Sequence, residues 1–194
     1  LFIGLLLLIG LVVMFSLSPQ RTNSLNNAKG SNYSDYYFFW RHLAYIAGGL
    51  IMFFFMKAVP LKWVFSRSLQ IFMISLILCV SLAILAIFKF PLVICENGAC
   101  RWFGFSGITF QQAEFLKVGS ILLLAAFLGA QVSKGKINNY KETILPALVV
   151  IAAVLLVVAG FQKDLGTAAT IVVAIAFQFV IAGMKSDKLI PIAI

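Results

Sequence analysis

The sequence predicts an all-α polytopic membrane protein with six transmembrane helices and the start of a seventh. Of its 194 residues, 62% are hydrophobic and 11% are charged, whereas soluble domains carry roughly 45–50% apolar and about 25% charged residues. The mean hydropathy is +1.06. The apolar runs are continuous rather than alternating, which is typical of membrane-spanning helices. This composition excludes a soluble domain and also a disordered chain.

The six predicted spans follow one another along the chain with few charges inside them. They are Leu1–Leu17, Trp40–Val59, Leu69–Phe88, Glu114–Val132, Ile144–Phe161 and Thr167–Met184. Leu189–Ile194 is again apolar and is interpreted as the start of a seventh span, so we expect a piece of a longer protein. Residues 1–194 are treated as a single integral membrane domain.

The net charge of +9 is interpreted as a topology signal and not as nucleic-acid binding, because there is no dense basic run. Eight cations lie in the short loops after the even-numbered spans or at their edges, and six lie in the longer loops after the odd-numbered spans or at their edges. Short loops rich in Lys and Arg are typically cytoplasmic. We therefore expect a cytoplasmic N-terminus. The first outer loop, 18–37, contains Pro19 and many Ser, Asn and Gly residues, and we expect it to be mobile.

The second outer loop, 89–113, is predicted to be a structured extracytoplasmic element. Its Asn97-Gly98 pair is the strongest short hairpin signal. With that pair in the turn, Cys95 faces Cys100 at a Cα separation of about 4.5–5.5 Å. A disulfide fits the upper part of this range, and disulfides persist outside the cytoplasm. A Cys95–Cys100 bond is predicted, with two free thiols as the alternative.

Ionisable residues stand where a membrane bundle usually has none. Glu114 and Lys117 begin the fourth predicted span and share one helix face. An interfacial carboxylate at a helix N-terminus accounts for Glu114 but leaves Lys117 unexplained. Asp164 lies between the fifth and sixth spans, where it or Thr167 could cap the sixth.

One candidate site collects the polar residues that loop parity places on the outer side. Such residues are costly in a membrane and usually face a bundle interior or a wet cavity, and an anionic lipid headgroup is a ligand that needs cations. No phosphate-binding glycine loop, catalytic triad or dinucleotide motif is present, and His42 stands alone, so no metal site is predicted. The candidates are Arg101, Trp102, Glu114, Lys117 and Asp164.

Three motifs in this order resemble those of the SEDS family, the FtsW, RodA and SpoVE proteins. Residues 98–103 (GACRWF) are similar to GA-x-RW-[IF], 110–117 (FQQAEFLK) to FQPSE-x-x-K, and 162–168 (QKDLGTA) to QPD-[FL]-GTA. Residues 38–43 (FFWRHL) resemble the start of the family's second span. The resemblance covers essentially the whole chain.

The sequence departs from the family motifs at three positions. Gln112 and Lys163 stand where the family usually has proline, and Ala113 replaces serine. Losing a proline loosens a turn but removes no acid or base.

The resemblance implies a ten-span protein of the bacterial cytoplasmic membrane, of which this chain carries the first six spans. Such proteins polymerise lipid II, the undecaprenyl-diphosphate-linked disaccharide-pentapeptide, at the outer face, together with a class B penicillin-binding protein. The family's proposed catalytic aspartate lies between spans seven and eight, beyond this chain. Ser18-Pro19 and the run 102–108 resemble the FtsW-like branch, which implies a septal role and divisome partners.

The resemblance also implies roles for the candidate residues. Arg101 and Trp102 would line the substrate cavity, and Glu114, Lys117 and Asp164 would support the headgroup and its diphosphate. In the implied reaction a sugar 4-hydroxyl attacks an anomeric carbon and the lipid diphosphate leaves, stabilised by cations or a divalent metal. Two alternatives stay open: a transporter (flippase) of the lipid-linked precursor, and a non-catalytic divisome scaffold.

Overall fold

The computed structural model describes residues 2–96, 98–105 and 108–184. They belong to two compact units, Leu1–Pro60 and Leu61–Ile194. Five of the described helices are long and apolar enough to cross a membrane, and a sixth apolar helix, Leu165–Ile181, has 17 residues. The predicted class, an all-α polytopic membrane protein, is confirmed. The predicted start of a seventh span, Leu189–Ile194, lies outside the described residues.

The first unit consists of two helices, α1 (Phe2–Lys29) and α2 (Tyr37–Ala58). The predicted end of the first span at Leu17 and the predicted mobile loop 18–37 are wrong, because α1 continues through Pro19 to Lys29. Only the short segment 30–36 connects the two helices.

Ser18 and Asn26 are among the polar residues that predicted a loop. In the structure their side chains form hydrogen bonds with the chain that leads into α2. The Ser18 hydroxyl donates to the Asp35 carbonyl (2.8 Å) and accepts from the Phe39 N–H (3.3 Å). The Asn26 side chain accepts from the N–H of Tyr33 and donates to its carbonyl, both at 3.0 Å. These bonds satisfy polar groups that otherwise favour turns over helix, so the helix extends past its apolar part.

The described residues of the second unit form five α-helices and a small sheet. The helices are α3 (Leu61–Ser66), α4 (Ser68–Ile87), α5 (Gln112–Ser133), α6 (Leu145–Leu155) and α7 (Leu165–Ile181). Helix α6 is extended at both ends by π-helical turns, Tyr140–Ile144 and Leu156–Phe161, so the fifth span covers Tyr140–Phe161.

The buried apolar residues of the second unit are contributed by all four of its long helices. The largest apolar members with almost no exposed surface are Leu82, Leu116, Leu124, Ile144, Ile171, Ile175 and Phe179. Helices α4 and α5 approach closely at Gly119, where a Cβ atom would lie 2.8 Å from Ser75 Oγ and 3.1 Å from Phe72 Cα. Small residues allow such close helix contact in membranes.

The loop 89–113 carries a three-stranded antiparallel sheet of β1 (Val93–Glu96), β2 (Ala99–Phe105) and β3 (Ile108–Phe110), in that order. The first two strands form the hairpin expected from the sequence, although Asn97 lies outside the described residues. The third strand was not anticipated, because its three residues are too few to give a pattern.

Cys95 pairs with Cys100 across the hairpin, and a disulfide joins them. Their Cα atoms are 4.0 Å apart, which is less than the separation expected for a regular ladder. The strand register shifts between Ile94 and Cys95, and such a bulge bends and twists the local backbone. The sequence expectation assumed a ladder without this bulge.

Candidate functional site

Asp164 is the N-cap residue of α7 and is almost fully buried, with 6% of its surface exposed. Its Oδ1 accepts from the Thr167 N–H at 3.1 Å, and its Oδ2 accepts from the Thr167 hydroxyl at 2.8 Å. Oδ2 also accepts from Gln111 Nε2 at 3.0 Å. Both carboxylate oxygens therefore have hydrogen-bond donors, and the helix N-terminus offsets part of the negative charge.

The turn formed by residues 162–164, which we call the 162–164 turn, has an unusual backbone. Lys163 is in the left-handed region with φ +52°, which is sterically unfavourable for a residue with a side chain. The Lys163 carbonyl accepts a hydrogen bond of 2.6 Å from Arg101 Nη2 in β2. A residue 62 positions away in sequence thus helps to hold this turn.

The residues around Gln111 explain why α5 begins at Gln112. Phe110 precedes the N-cap residue Gln111, and its ring stacks on Phe115 with centroids 4.7 Å apart. Apolar residues in these two positions form a hydrophobic staple that fixes the direction in which the chain enters a helix. The Gln111 side chain does not cap its own helix, which leaves its amide free to bind Asp164.

Glu114 and Lys117 form an ion pair on the first turns of α5. Lys117 Nζ lies 2.8 Å from Glu114 Oε2 and 2.9 Å from Oε1. The side chains are 27% exposed for Lys117 and 49% for Glu114. The pair is consequently partly accessible at the start of an apolar helix, and the ammonium group lies within hydrogen-bond distance of both carboxylate oxygens.

The structure divides the predicted site residues into two groups. Arg101 and Asp164 meet at the 162–164 turn, and Glu114 pairs with Lys117 three residues after Gln111. Among the described residues, no hydrogen bond or ion pair joins the two groups directly; helix α5 connects them. We call the end of the second unit that carries β1–β3, the start of α5 and the 162–164 turn the sheet end.

Trp102 belongs to neither group. It pairs with Ile94 in the sheet and is partly buried. The sequence analysis assigned no role to Gln111. Its position just before the span that begins with Glu114 and Lys117 could have marked it as a candidate site residue.

The donor set at the sheet end does not fit a divalent cation. Within the described part of the chain, no three or more His, Cys, Asp or Glu side chains form a group that could hold a metal. Asp164 already accepts three hydrogen bonds, and Glu114 is paired with an ammonium group. A cation would have to displace those partners, since hard metal ions need several free oxygen ligands.

These features define a multi-pass helical membrane protein with a disulfide-closed hairpin and a polar site at one end of its bundle. The whole chain, residues 1–194, matches the family model described as "Cell cycle protein", that of FtsW, RodA and SpoVE. The chain belongs to this family, which confirms the resemblance seen in the three motifs.

Individual relatives agree with the family assignment. The chain is 33% identical over 186 residues to a probable peptidoglycan glycosyltransferase FtsW of Helicobacter pylori, covering 93% of this chain and 45% of that protein. The rod shape determining protein RodA of Thermus thermophilus has the same fold, with a TM-score of 0.59, 19% identity, and coverage of 96% and 56%.

A second solved structure is similar at a TM-score of 0.63 and 21% identity, covering 95% of this chain and 49% of the other. It is described as "Structural coordination of polymerization and crosslinking by a peptidoglycan synthase complex". The present chain spans about half the length of the curated relatives that it matches.

Proposed function

We propose that the full-length protein is a lipid II polymerase, a peptidoglycan glycosyltransferase of the bacterial cytoplasmic membrane that acts in septal wall synthesis. The observation that carries this proposal is the partly exposed Glu114–Lys117 ion pair at the end of an apolar helix. The glycosyltransferase name of the FtsW relative supports the reaction class.

Lys117 is the group we assign to the lipid diphosphate. When a sugar 4-hydroxyl attacks the anomeric carbon of a second lipid II, negative charge accumulates on the departing diphosphate, and a fixed cation stabilises it. Glu114 holds the ammonium group in one place by two contacts shorter than 3 Å. This fixed position limits the reorganisation that the cation needs when the substrate arrives.

Asp164 has a supporting role in this proposal. A general base needs a free carboxylate oxygen within reach of the proton that it removes, whereas both Asp164 oxygens accept hydrogen bonds from protein groups. Arg101 and Trp102 are assigned to the wall of the substrate cavity beside the 162–164 turn. The catalytic acid or base is expected in the part of the protein that follows these residues.

The sheet end is assigned to the outer face of the membrane, with the N-terminus in the cytoplasm. The excess of Lys and Arg in the even-numbered loops supports this orientation, and a disulfide at the sheet end is compatible with an oxidising compartment. A class B penicillin-binding protein and divisome proteins are the proposed partners. One solved structure that is similar to this chain is of a peptidoglycan synthase complex, and its description names both polymerization and crosslinking. This similarity supports the penicillin-binding protein as a partner.

The proposal is tested with the full-length protein in liposomes that contain lipid II labelled on its peptide. We expect a ladder of glycan strands on a gel, and we expect Lys117→Ala to reduce its formation by about 100-fold, as removal of one transition-state donor typically does. Lys136→Ala is the matched control, because Lys136 also forms an ion pair, with Glu142, beyond the opposite end of α5.

Two other results would contradict the proposal. Transfer of labelled lipid II between leaflets without glycan strands would identify a transporter. Neither transfer nor strands, in a protein that still recruits its division partners, would identify a scaffold.

A further inference from the structure

Arg101 occupies a β-bulge in the second strand of the sheet. Ile94 pairs with Trp102, whereas the next residue, Cys95, pairs with Cys100. Arg101 is therefore the one residue of β2 between these pairs that has no partner on β1. Bulges turn the local backbone and redirect a side chain, and they are frequent beside functional sites.

The disulfide lies directly beside this bulge. Cys100 precedes Arg101 in the chain, and its covalent bond to Cys95 fixes the pairing on that side. The Ile94–Trp102 pair fixes the other side. A slip by one residue would send every side chain of a strand to the opposite face. The bond therefore excludes the alternative register that would turn Arg101 away from the 162–164 turn.

The guanidinium group in turn holds a backbone that is unfavourable by itself. Arg101 Nη2 donates at 2.6 Å to the carbonyl of Lys163, the residue with φ +52°. The next residue, Asp164, donates its N–H to the Val158 carbonyl at 3.0 Å and caps α7. Arg101 is thus the only described side chain that hydrogen-bonds the left-handed residue of this turn.

We propose that the Cys95–Cys100 disulfide is a positioning element of the site. It holds the bulge in the register that directs Arg101 to the Lys163 carbonyl, and Arg101 then fixes the 162–164 turn that starts α7. Arg101 and the disulfide act as one unit. Only the final step, that a fixed turn supports lipid II polymerisation, rests on the proposed function.

The structural step is tested by amide hydrogen exchange of residues 162–168 in the full-length protein. Loss of a hydrogen bond from a charged donor corresponds to about a 10- to 100-fold change in an opening equilibrium. We expect exchange in the turn to accelerate by a factor in this range in Arg101→Ala, and to a similar extent in Cys95→Ser/Cys100→Ser. Combining all three substitutions should add nothing further, because the disulfide acts through Arg101.

The matched control is Phe105→Ala, which truncates an exposed residue of the same strand and should leave exchange in the turn unchanged. Reduction of the folded wild-type protein is a second route to the open disulfide and avoids variants that fail to fold. The proposal is overturned if the disulfide-free protein exchanges like the wild type. It is also overturned if the effects of the disulfide and of Arg101 simply multiply in the triple variant.

The functional step uses the same variants in the lipid II assay. The disulfide-free protein and the triple variant should lose strand formation equally. Unequal losses would contradict the coupling between the disulfide and Arg101. If the wild type makes no strands, the proposed function fails, while hydrogen exchange still decides whether the disulfide positions Arg101.

Discussion

Gly119→Ala should destabilise the second unit, because it adds a methyl group where α4 and α5 are already in contact. The new Cβ atom would lie 2.8 Å from Ser75 Oγ and 3.1 Å from Phe72 Cα, whereas favourable contacts lie at about 3.5–4.0 Å. The Ser75 hydroxyl donates to the Ile71 and Phe72 carbonyls at 2.9 and 2.8 Å, so rotation away from Gly119 costs those bonds. The Phe72 backbone can move only with its helix.

The magnitude follows from two opposing contributions. Overpacking of a closely packed core costs about 1–3 kcal/mol, and alanine gains about 0.8–1 kcal/mol over glycine inside a helix. A Cβ atom added at Gly129, on the same helix, would meet no heavy atom within 4 Å, so Gly129→Ala receives only the gain. The two variants should therefore differ in the free energy of unfolding by about 1–3 kcal/mol.

The assay is thermal unfolding of the two full-length variants in the same detergent. A domain of 150–250 residues shifts by roughly 2–4 °C per kcal/mol, and a longer protein shifts less, so Gly119→Ala should unfold below Gly129→Ala by no more than about 12 °C. Equal midpoints, or a higher midpoint for Gly119→Ala, would refute the close contact of α4 and α5. That result would also remove support for the position of Glu114 and Lys117, which α5 carries.

Three further predictions concern the stability of single contacts, each measured by thermal unfolding. Lys163→Gly should stabilise the protein by up to about 1 kcal/mol, because glycine accepts the left-handed backbone at φ +52°; a decrease would argue against that backbone. Asp164→Ala should destabilise by about 1–2 kcal/mol through loss of the α7 cap, and a neutral result would argue against capping. Glu142→Gln breaks the exposed pair with Lys136 and should cost no more than about 1 kcal/mol, less at high salt; a larger or salt-independent loss would contradict an exposed pair.

The sequence was sufficient for the membrane class and the approximate positions of the helices, because spans of continuous apolar residues leave few alternatives in a bilayer. It was also sufficient for the pairing of Cys95 with Cys100, since a two-residue turn determines which residues face each other. The end of α1, in contrast, could not be predicted from the sequence. Ser18 and Asn26 are typical loop residues, and only their partners around Asp35, which the fold brings close, make them compatible with a helix.

Of the contacts among the candidate site residues, only the one between Glu114 and Lys117 could be predicted from the sequence. Helical spacing alone placed Glu114 beside Lys117. The contacts of Arg101 with Lys163 and of Gln111 with Asp164 join residues 62 and 53 positions apart, and no local pattern encodes such a distance. The bulge at Arg101 was equally hidden, because an extra residue in a strand depends on its partner strand.

The central claim, that Lys117 contacts the lipid diphosphate, is tested most directly by ligand affinity. The full-length protein and its Lys117→Gln variant are titrated with undecaprenyl diphosphate and with undecaprenol, which has the same chain but no phosphate. We expect the variant to bind the diphosphate at least about tenfold more weakly, since a hydrogen bond between charged groups is worth about 1.5–3 kcal/mol, and to bind undecaprenol like the wild type. Equal affinity of both proteins for undecaprenyl diphosphate would contradict the claim.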